Sequence, residues 1–214
     1  MTSIKVFFAL CVALAEFAGF WNEPDTEFCR SEWTAGYHVG RVLKANPAGP
    51  HRAYPTVQFW KAPGGSYGPC MLSLDFKYAT PPRTAAQWFS VLTLARVPGD
   101  TSWDPVTLNL DAQGNLALMH VPVHGKEVFT VLGPINVPMN AWHHIDVLVD
   151  FRVVGGSVTV FLDGAPALYA KVDGGNGFLP QAHAGLYAEG SLPFGWMGNR
   201  NLKVSELALS QTAN

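Results

Sequence analysis

An imidazole, a phenol and a carboxylate occur together in His183-Ala184-Gly185-Leu186-Tyr187-Ala188-Glu189. Tyr and His can give and take protons at a reacting centre, which is the chemistry of general acid–base catalysis. Upstream, the run from His51 to Lys61 sets Arg52, Tyr54, Thr56, Gln58 and Trp60 on one parity of an extended segment. Arg52 and Gln58 there can neutralise an anionic group. Pro55 confines such a strand to an edge or forces a bulge. His120, in Leu118-Met119-His120-Val121, is a further proton-transfer candidate.

Other residues suit binding without chemistry. Trp60, Trp103 and Trp196 lie in or beside turn-rich segments, where an exposed indole stacks on a sugar ring; buried packing is the alternative use of each. Asn199, Arg200 and Asn201 follow Trp196 and can hydrogen-bond hydroxyls. Asp100 and Asp104 are the loop carboxylates that could ligate Ca²⁺, and no other cofactor or metal is expected. Glycoside hydrolysis needs two facing carboxylates. Asp146 and Asp150 stand four apart with Leu148 between them, which does not match that need. No Gly-x-Ser-x-Gly elbow, phosphate loop or dinucleotide fingerprint occurs.

The chain that must position these groups has 214 residues, enough for one large β domain. Only 14% of residues are charged and the net charge is −2, which gives no electrostatic case for nucleic acid or an anionic membrane. Met1 to Lys5 followed by the apolar run Val6 to Leu14 and Ala13-Leu14-Ala15 has the layout of a secretory signal peptide. Residues 1–15 are therefore expected to be removed and 16–214 to form a single domain, secreted to an extracellular or periplasmic space. The alternative is a buried first strand built on Phe7, Phe8, Phe17 and Phe20. With Cys11 in the signal, Cys29 and Cys70 remain as a pair. A disulfide between them would close a loop of about 40 residues and contribute roughly 4 kcal/mol; otherwise they are two separate buried thiols.

Turn residues divide the remainder into about a dozen short extended runs, the spacing of a sandwich. From Trp142 to Phe151, the set His143, Ile145, Val147, Val149 and Phe151 is nearly all apolar and is expected to face the core. Ser157 to Leu162 is β-branched and aromatic, and Asp163-Gly164 supplies the positive φ angles of a tight hairpin. Gln87 to Arg96 reads as a central strand, and Asp111-Ala112-Gln113-Gly114 as a hairpin turn. No window carries a sustained helical period.

Trp142-His143-His144-Ile145, the long strand, and then Gly156-Ser157-Val158-Thr159-Val160-Phe161-Leu162-Asp163-Gly164 resemble the central hairpin of concanavalin A-like jelly rolls, a superfamily of laminin-G-like modules, lectins, glucanases and alginate- and heparin-lyase-like domains. The resemblance implies an all-β jelly-roll sandwich of two antiparallel sheets. The run from His183 to Glu189 is similar to the Lys-x-Gly-x-Tyr-x-Gln strand of alginate-lyase-type members, with His183 for lysine and Glu189 for glutamine. In that family the tyrosine is the catalytic acid, or acid and base, of β-elimination from a uronate. The resemblance then implies Tyr187 as acid/base, Arg52 and Gln58 neutralising the carboxylate, and His120 as base. Trp60, His183, Glu189, Trp196 and Arg200 would bind the polysaccharide. The family's Gln-x-His strand aligns near Val91-Leu92-Thr93-Leu94, where neither residue is present. The expectation is a secreted polysaccharide-recognising protein that could cleave uronate-containing glycans. The alternative is a non-catalytic structural or adhesive module, or a lectin-like carbohydrate-binding domain.

Overall fold

A computed structural model describes residues 19–21, 27–34, 36–45, 55–67, 69–84, 87, 89–95, 105–120, 128–151, 155–172, 178–188 and 190–207. Residues 1–15 lie outside these, as do Arg52, Asp100, Trp103, Asp104 and Glu189.

The described residues form fourteen strands. They are β1 (Gly19–Trp21), β2 (Cys29–Thr34), β3 (Tyr37–Val42), β4 (Thr56–Tyr67), β5 (Cys70–Ala79), β6 (Phe89–Ala95) and β7 (Pro105–Leu110). There follow β8 (Asn115–His120), β9 (Val128–Asn136), β10 (His143–Asp150), β11 (Ser157–Leu162), β12 (Ala165–Lys171), β13 (Phe178–Ala188) and β14 (Gly195–Glu206). Two seven-stranded sheets result, one ordered β1-β4-β13-β6-β7-β8-β9 and the other β12-β11-β10-β5-β14-β3-β2. Every pairing is antiparallel. This is the expected all-β jelly-roll sandwich of concanavalin A-like type.

Alternation along the strands builds the core between the sheets. In β5, Cys70, Leu72, Leu74, Phe76 and Tyr78 are buried, while Met71, Ser73, Asp75 and Lys77 are half-buried on the outer side. In β10 the apolar parity is inward, as its pattern requires. Each fully buried Leu, Val or Phe contributes roughly 1.5–3 kcal/mol through apolar area removed from water. The Tyr78 hydroxyl donates to the Val137 carbonyl at 2.7 Å, so this large side chain is buried without a stranded polar atom.

Two hairpins have the turn chemistry read from sequence. Asp163 and Gly164 take φ of 50° and 81°, the left-handed pair that a two-residue hairpin requires. At the β7–β8 turn, Asp111 Oδ1 accepts from the backbone amides of Gln113 and Asn115 at 2.9 and 2.8 Å. The C-terminal strands are not at the edges. β13 is inserted between β4 and β6, and β14 between β5 and β3.

The expected Cys29–Cys70 disulfide is not formed. Cys29 pairs with Val42, Val42 with Gly195, and the adjacent Trp196 with Ala79, so Cys29 is level with the Ala79 end of β5. Cys70 is at the other end of that strand, three strands away in the sheet. The separation is about 14 Å across the sheet and about 30 Å along it, against an upper limit of about 7 Å between the Cα atoms of a bridge.

Candidate functional site

The sheet that contains β13 is buried on both faces at its centre. In β6 and β7, Leu92, Leu94, Val106, Leu108 and Leu110 belong to the core. Ser90, Thr93, Thr107 and Asn109 alternate with them and are buried on the opposite, outer face. A row of polar side chains turned away from the core yet shielded from bulk water is costly unless something hydrogen-bonds it.

Register arranges these residues in ranks across the strands. One rank runs Tyr187, Ser90, Asn109 and Ala117 over β13, β6, β7 and β8. A second runs Gln58, His183, Thr93, Thr107 and Met119 from β4 to β8. A third register position sets Lys61 opposite Gln181, itself opposite Ala95. Directly paired side chains on one face have Cβ atoms about 5 Å apart.

Register shifts bend this surface. One falls between Ala184 and Tyr187 and another between Ser90 and Leu92. Tyr187 and His183 are four residues apart, about 13 Å along β13, whereas Asn109 and Thr107 are two apart, about 7 Å along β7. The ranks therefore fan out from β7 toward β13, the curvature that bulges produce. Gly185 lies between them on β13 with φ of +121°. A Cβ there would stand 3.0 Å from the Pro55 carbonyl oxygen and from the Thr56 Cα. Glycine at this place in the motif is thus a requirement of backbone conformation and of space.

Within the first rank, the Ser90 hydroxyl donates to Asn109 Oδ1 at 2.6 Å. Asn109 Nδ2 and Thr107 Oγ1 are buried and have no hydrogen-bond partner among the described residues. The face thus presents a phenol, an imidazole, three aliphatic hydroxyl groups and an amide, with Tyr187 half-buried at one end.

The residues expected to act together separate into three places. Tyr187 and His183 share the outer face, and the register sets Gln58 opposite His183. Trp60 is opposite Ala182, and the shift between Ala182 and His183 breaks the single parity expected from Arg52 to Trp60. His120 does not join Tyr187. It pairs with Val106 on the same face as the Leu118–Leu108 and Leu116–Leu110 pairs, which is the core side. A histidine there cannot reach a substrate lying on the outer face, so its expected role as base is withdrawn.

Trp196 and Arg200 belong to the other sheet. Trp196 pairs with Ala79 and Arg41, and Arg200 with Asp75, all on the outer side of β5 and β3. Lys77 Nζ lies 5.9 Å from the centre of the Trp196 ring, and the Arg200 guanidinium is 4.1 Å from that of Trp142. Arg200 Nε and Asn201 Nδ2 donate to Asp75 Oδ2 at 3.2 and 2.7 Å. These groups are used on one another, with the whole sandwich between them and Tyr187. Their expected place beside the substrate groove is corrected accordingly.

Ser90, Thr93, Thr107 and Asn109 are the site residues that sequence reading missed. Their signal is the regular polar insertion in Val106-Thr107-Leu108-Asn109-Leu110, where the apolar parity alone would have filled a core.

The sequence matches no protein-family model and no curated protein. Among solved structures, the fold is similar to alginate lyase A1-II′, a member of polysaccharide lyase family 7, with a TM-score of 0.58 at 17% identity over 90% of this chain and 85% of that one. It is also similar to the marine family 7 alginate lyase of Zobellia galactanivorans, with a TM-score of 0.57 at 12% identity over 84% and 81% of the two chains. An alginate lyase from a Corynebacterium species gives 0.54 at 11% identity over 87% and 81%. The A1-II′ enzyme has also been solved, as a double variant, with an oligosaccharide substrate bound.

Proposed function

Taking the concanavalin A-like jelly roll as premise, we propose that this protein binds a uronate-containing polysaccharide across the outer face of β4, β13, β6 and β7 and cleaves it by β-elimination at Tyr187. The observation that carries the reading is the Tyr187–Ser90–Asn109 rank, a proton-transfer group in line with a buried amide whose donors have no partner among the described residues. Similarity in fold to lyases that act on alginate supports the same substrate class.

In the proposed step Tyr187 acts from its phenolate form, whose oxygen takes the proton from C5 of the sugar. The C5–H electron pair becomes the C4=C5 double bond, and the C4–O4 bond breaks with its electrons on O4. The phenol then returns that proton to O4, so the residue ends as it began. Tyr187 serves as both base and acid because His183 is four strand residues away, too far to act on the same carbon.

The test is to incubate the protein with alginate, glucuronan and related polymers and to follow the ultraviolet absorbance of the unsaturated product. Product from the wild-type chain, reduced about 10²–10⁴-fold in Tyr187→Phe with polymer binding retained, is the expected result. Silence of the wild-type chain across the panel would overturn the catalytic part. A glycan array that also gives no saturable binding would overturn the whole reading.

A further inference from the structure

Among the described residues, the amide of Asn109 has one of its two ends in use. Its Oδ1 accepts the Ser90 hydroxyl at 2.6 Å, which turns Nδ2 and both of its hydrogens away from Ser90. Asn109 is fully buried on the outer face of β7, and Nδ2 has no acceptor among the described residues. Thr107, two residues along on the same face, is also fully buried, and its hydroxyl has no hydrogen-bond partner among the described residues. A buried donor left unmade costs roughly 1–3 kcal/mol, so two such groups side by side point to something that supplies acceptors.

The kind of acceptor follows from what is already occupied. With Oδ1 engaged, Asn109 offers donors only. A sugar hydroxyl wants to donate as well as accept and is poorly matched by a donor-only group, whereas an ionised carboxylate accepts only and has several lone pairs to fill. The position agrees with this. Ser90 is directly opposite both Tyr187 and Asn109, so the phenol and the amide flank β6 two strand spacings apart, about 10 Å between backbones. In a hexuronate C5 itself bears the carboxylate, so a ring seated over β6 with its C5–H toward Tyr187 turns the carboxylate oxygens toward Asn109.

We infer that Asn109, oriented by Ser90, is the specificity-determining residue that receives the substrate's carboxylate. This rests on the proposed reading of the face as a polysaccharide site. It assigns to β7 an amide for which β6 has no side chain, since Val91, Leu92 and Leu94 are buried in the core and Ser90 and Thr93 carry only hydroxyls.

The experiment compares alginate with the same polymer after reduction of its carboxyl groups, measuring dissociation constants and, where product forms, kcat and KM. The variants are Asn109→Leu, of similar volume, Asn109→Asp, and Ser90→Ala, with thermal unfolding to confirm that each folds. The wild-type chain is expected to prefer the carboxylated polymer by about 10- to 100-fold, the scale of a hydrogen bond to a charged group. Asn109→Leu should abolish that preference, Asn109→Asp should reverse it by like-charge repulsion, and Ser90→Ala should weaken it. Wild-type discrimination retained in Asn109→Leu and Ser90→Ala would overturn this inference while leaving the site intact. If Asn109→Leu does not fold, discrimination unchanged in Ser90→Ala overturns it alone. Wild-type protein that binds neither polymer would overturn the site reading and this inference together.

Discussion

The carbonyl oxygen of Pro55 lies 2.1 Å from the point where a Cβ on Gly40 would stand. The two sheets are pinched together here, because Gly40 is on β3 while Pro55 leads into β4 of the other sheet. Gly185 of β13 meets the same carbonyl from the far side, with the ring of His38 3.4 Å from its own Cβ position. Backbone, not a flexible side-chain end, is what a larger residue would strike. Gly40→Ala is expected to destabilise the fold by about 3 kcal/mol, at the upper end of overpacking costs, with Gly185→Ala comparable because conformational strain adds to crowding. Urea unfolding of the two variants checks this. Gly185→Ala should in addition move Tyr187 and depress any lyase rate beyond the loss of folded protein.

His38 is fully buried, and loss of solvation pushes its pKa down from 6.5 to about 4. Between those values the unfolded chain binds a proton that the folded chain refuses. The stability contributed by the neutral ring is therefore complete above about pH 6.5 and is lost progressively as the pH falls toward 4, to a total of about 3 kcal/mol. Unfolding free energies measured across that interval should fall accordingly. A His38→Leu chain, with no proton to bind in either state, should show a flatter profile.

His144 behaves in the opposite sense. Its Nδ1 is 2.7 Å from Asp75 Oδ1 and its Nε2 3.2 Å from Asp146 Oδ1. The hydrogen bond to Asp75, with help from Asp146, raises its pKa above the usual imidazole value despite partial burial. Its contribution is present below the unfolded pKa and disappears as the pH rises through the higher folded value. Because the ring is exposed on one side, the contribution should be small and sensitive to salt. Titration of the His144 ring by NMR is expected to give an elevated midpoint that falls in Asp75→Asn.

Trp196→Ala and Arg200→Ala should leave polysaccharide affinity unchanged, because both side chains are on the outer side of the opposite sheet. Loss of the Arg200–Asp75 pair and the contact with Trp142 should instead lower thermal stability modestly, by about 1 kcal/mol or less. Isothermal titration with the polymer that the wild-type chain binds separates the two effects.

Much of the architecture was legible because one periodicity decides it. The alternation of β10 and the Asp163-Gly164 turn follow from local pattern, and both are found as expected. The first half of β14 was not legible. Trp196 reads as lying in or beside a turn-rich segment, yet the neighbouring Gly198 is mid-strand, where a Cβ would stand 3.0 Å from the Tyr37 ring. The need there is room for an aromatic neighbour, which no local pattern records. At the site, the motif around Gly185 singled out Tyr187 and His183. His120 misled because a strand in a sheet buried on both faces does not reveal which parity is the core. Trp196 misled because a turn-rich neighbourhood does not say which sheet the next strand enters.

Which sheet each late strand enters governs how the molecule comes into being during synthesis. The two closing strands, Phe178–Ala188 and Gly195–Glu206, occupy the middle of their respective sheets. Each sheet consequently stays split, with unsatisfied hydrogen-bonding edges, until residues 178–206 have left the ribosome tunnel. Such long-range closure is slow, and the exposed edges of the waiting halves invite pairing between neighbouring nascent chains. Chaperone occupancy during translation should persist until Glu206 emerges, and chains cut short before Gly195 should aggregate and not accumulate as smaller folded domains.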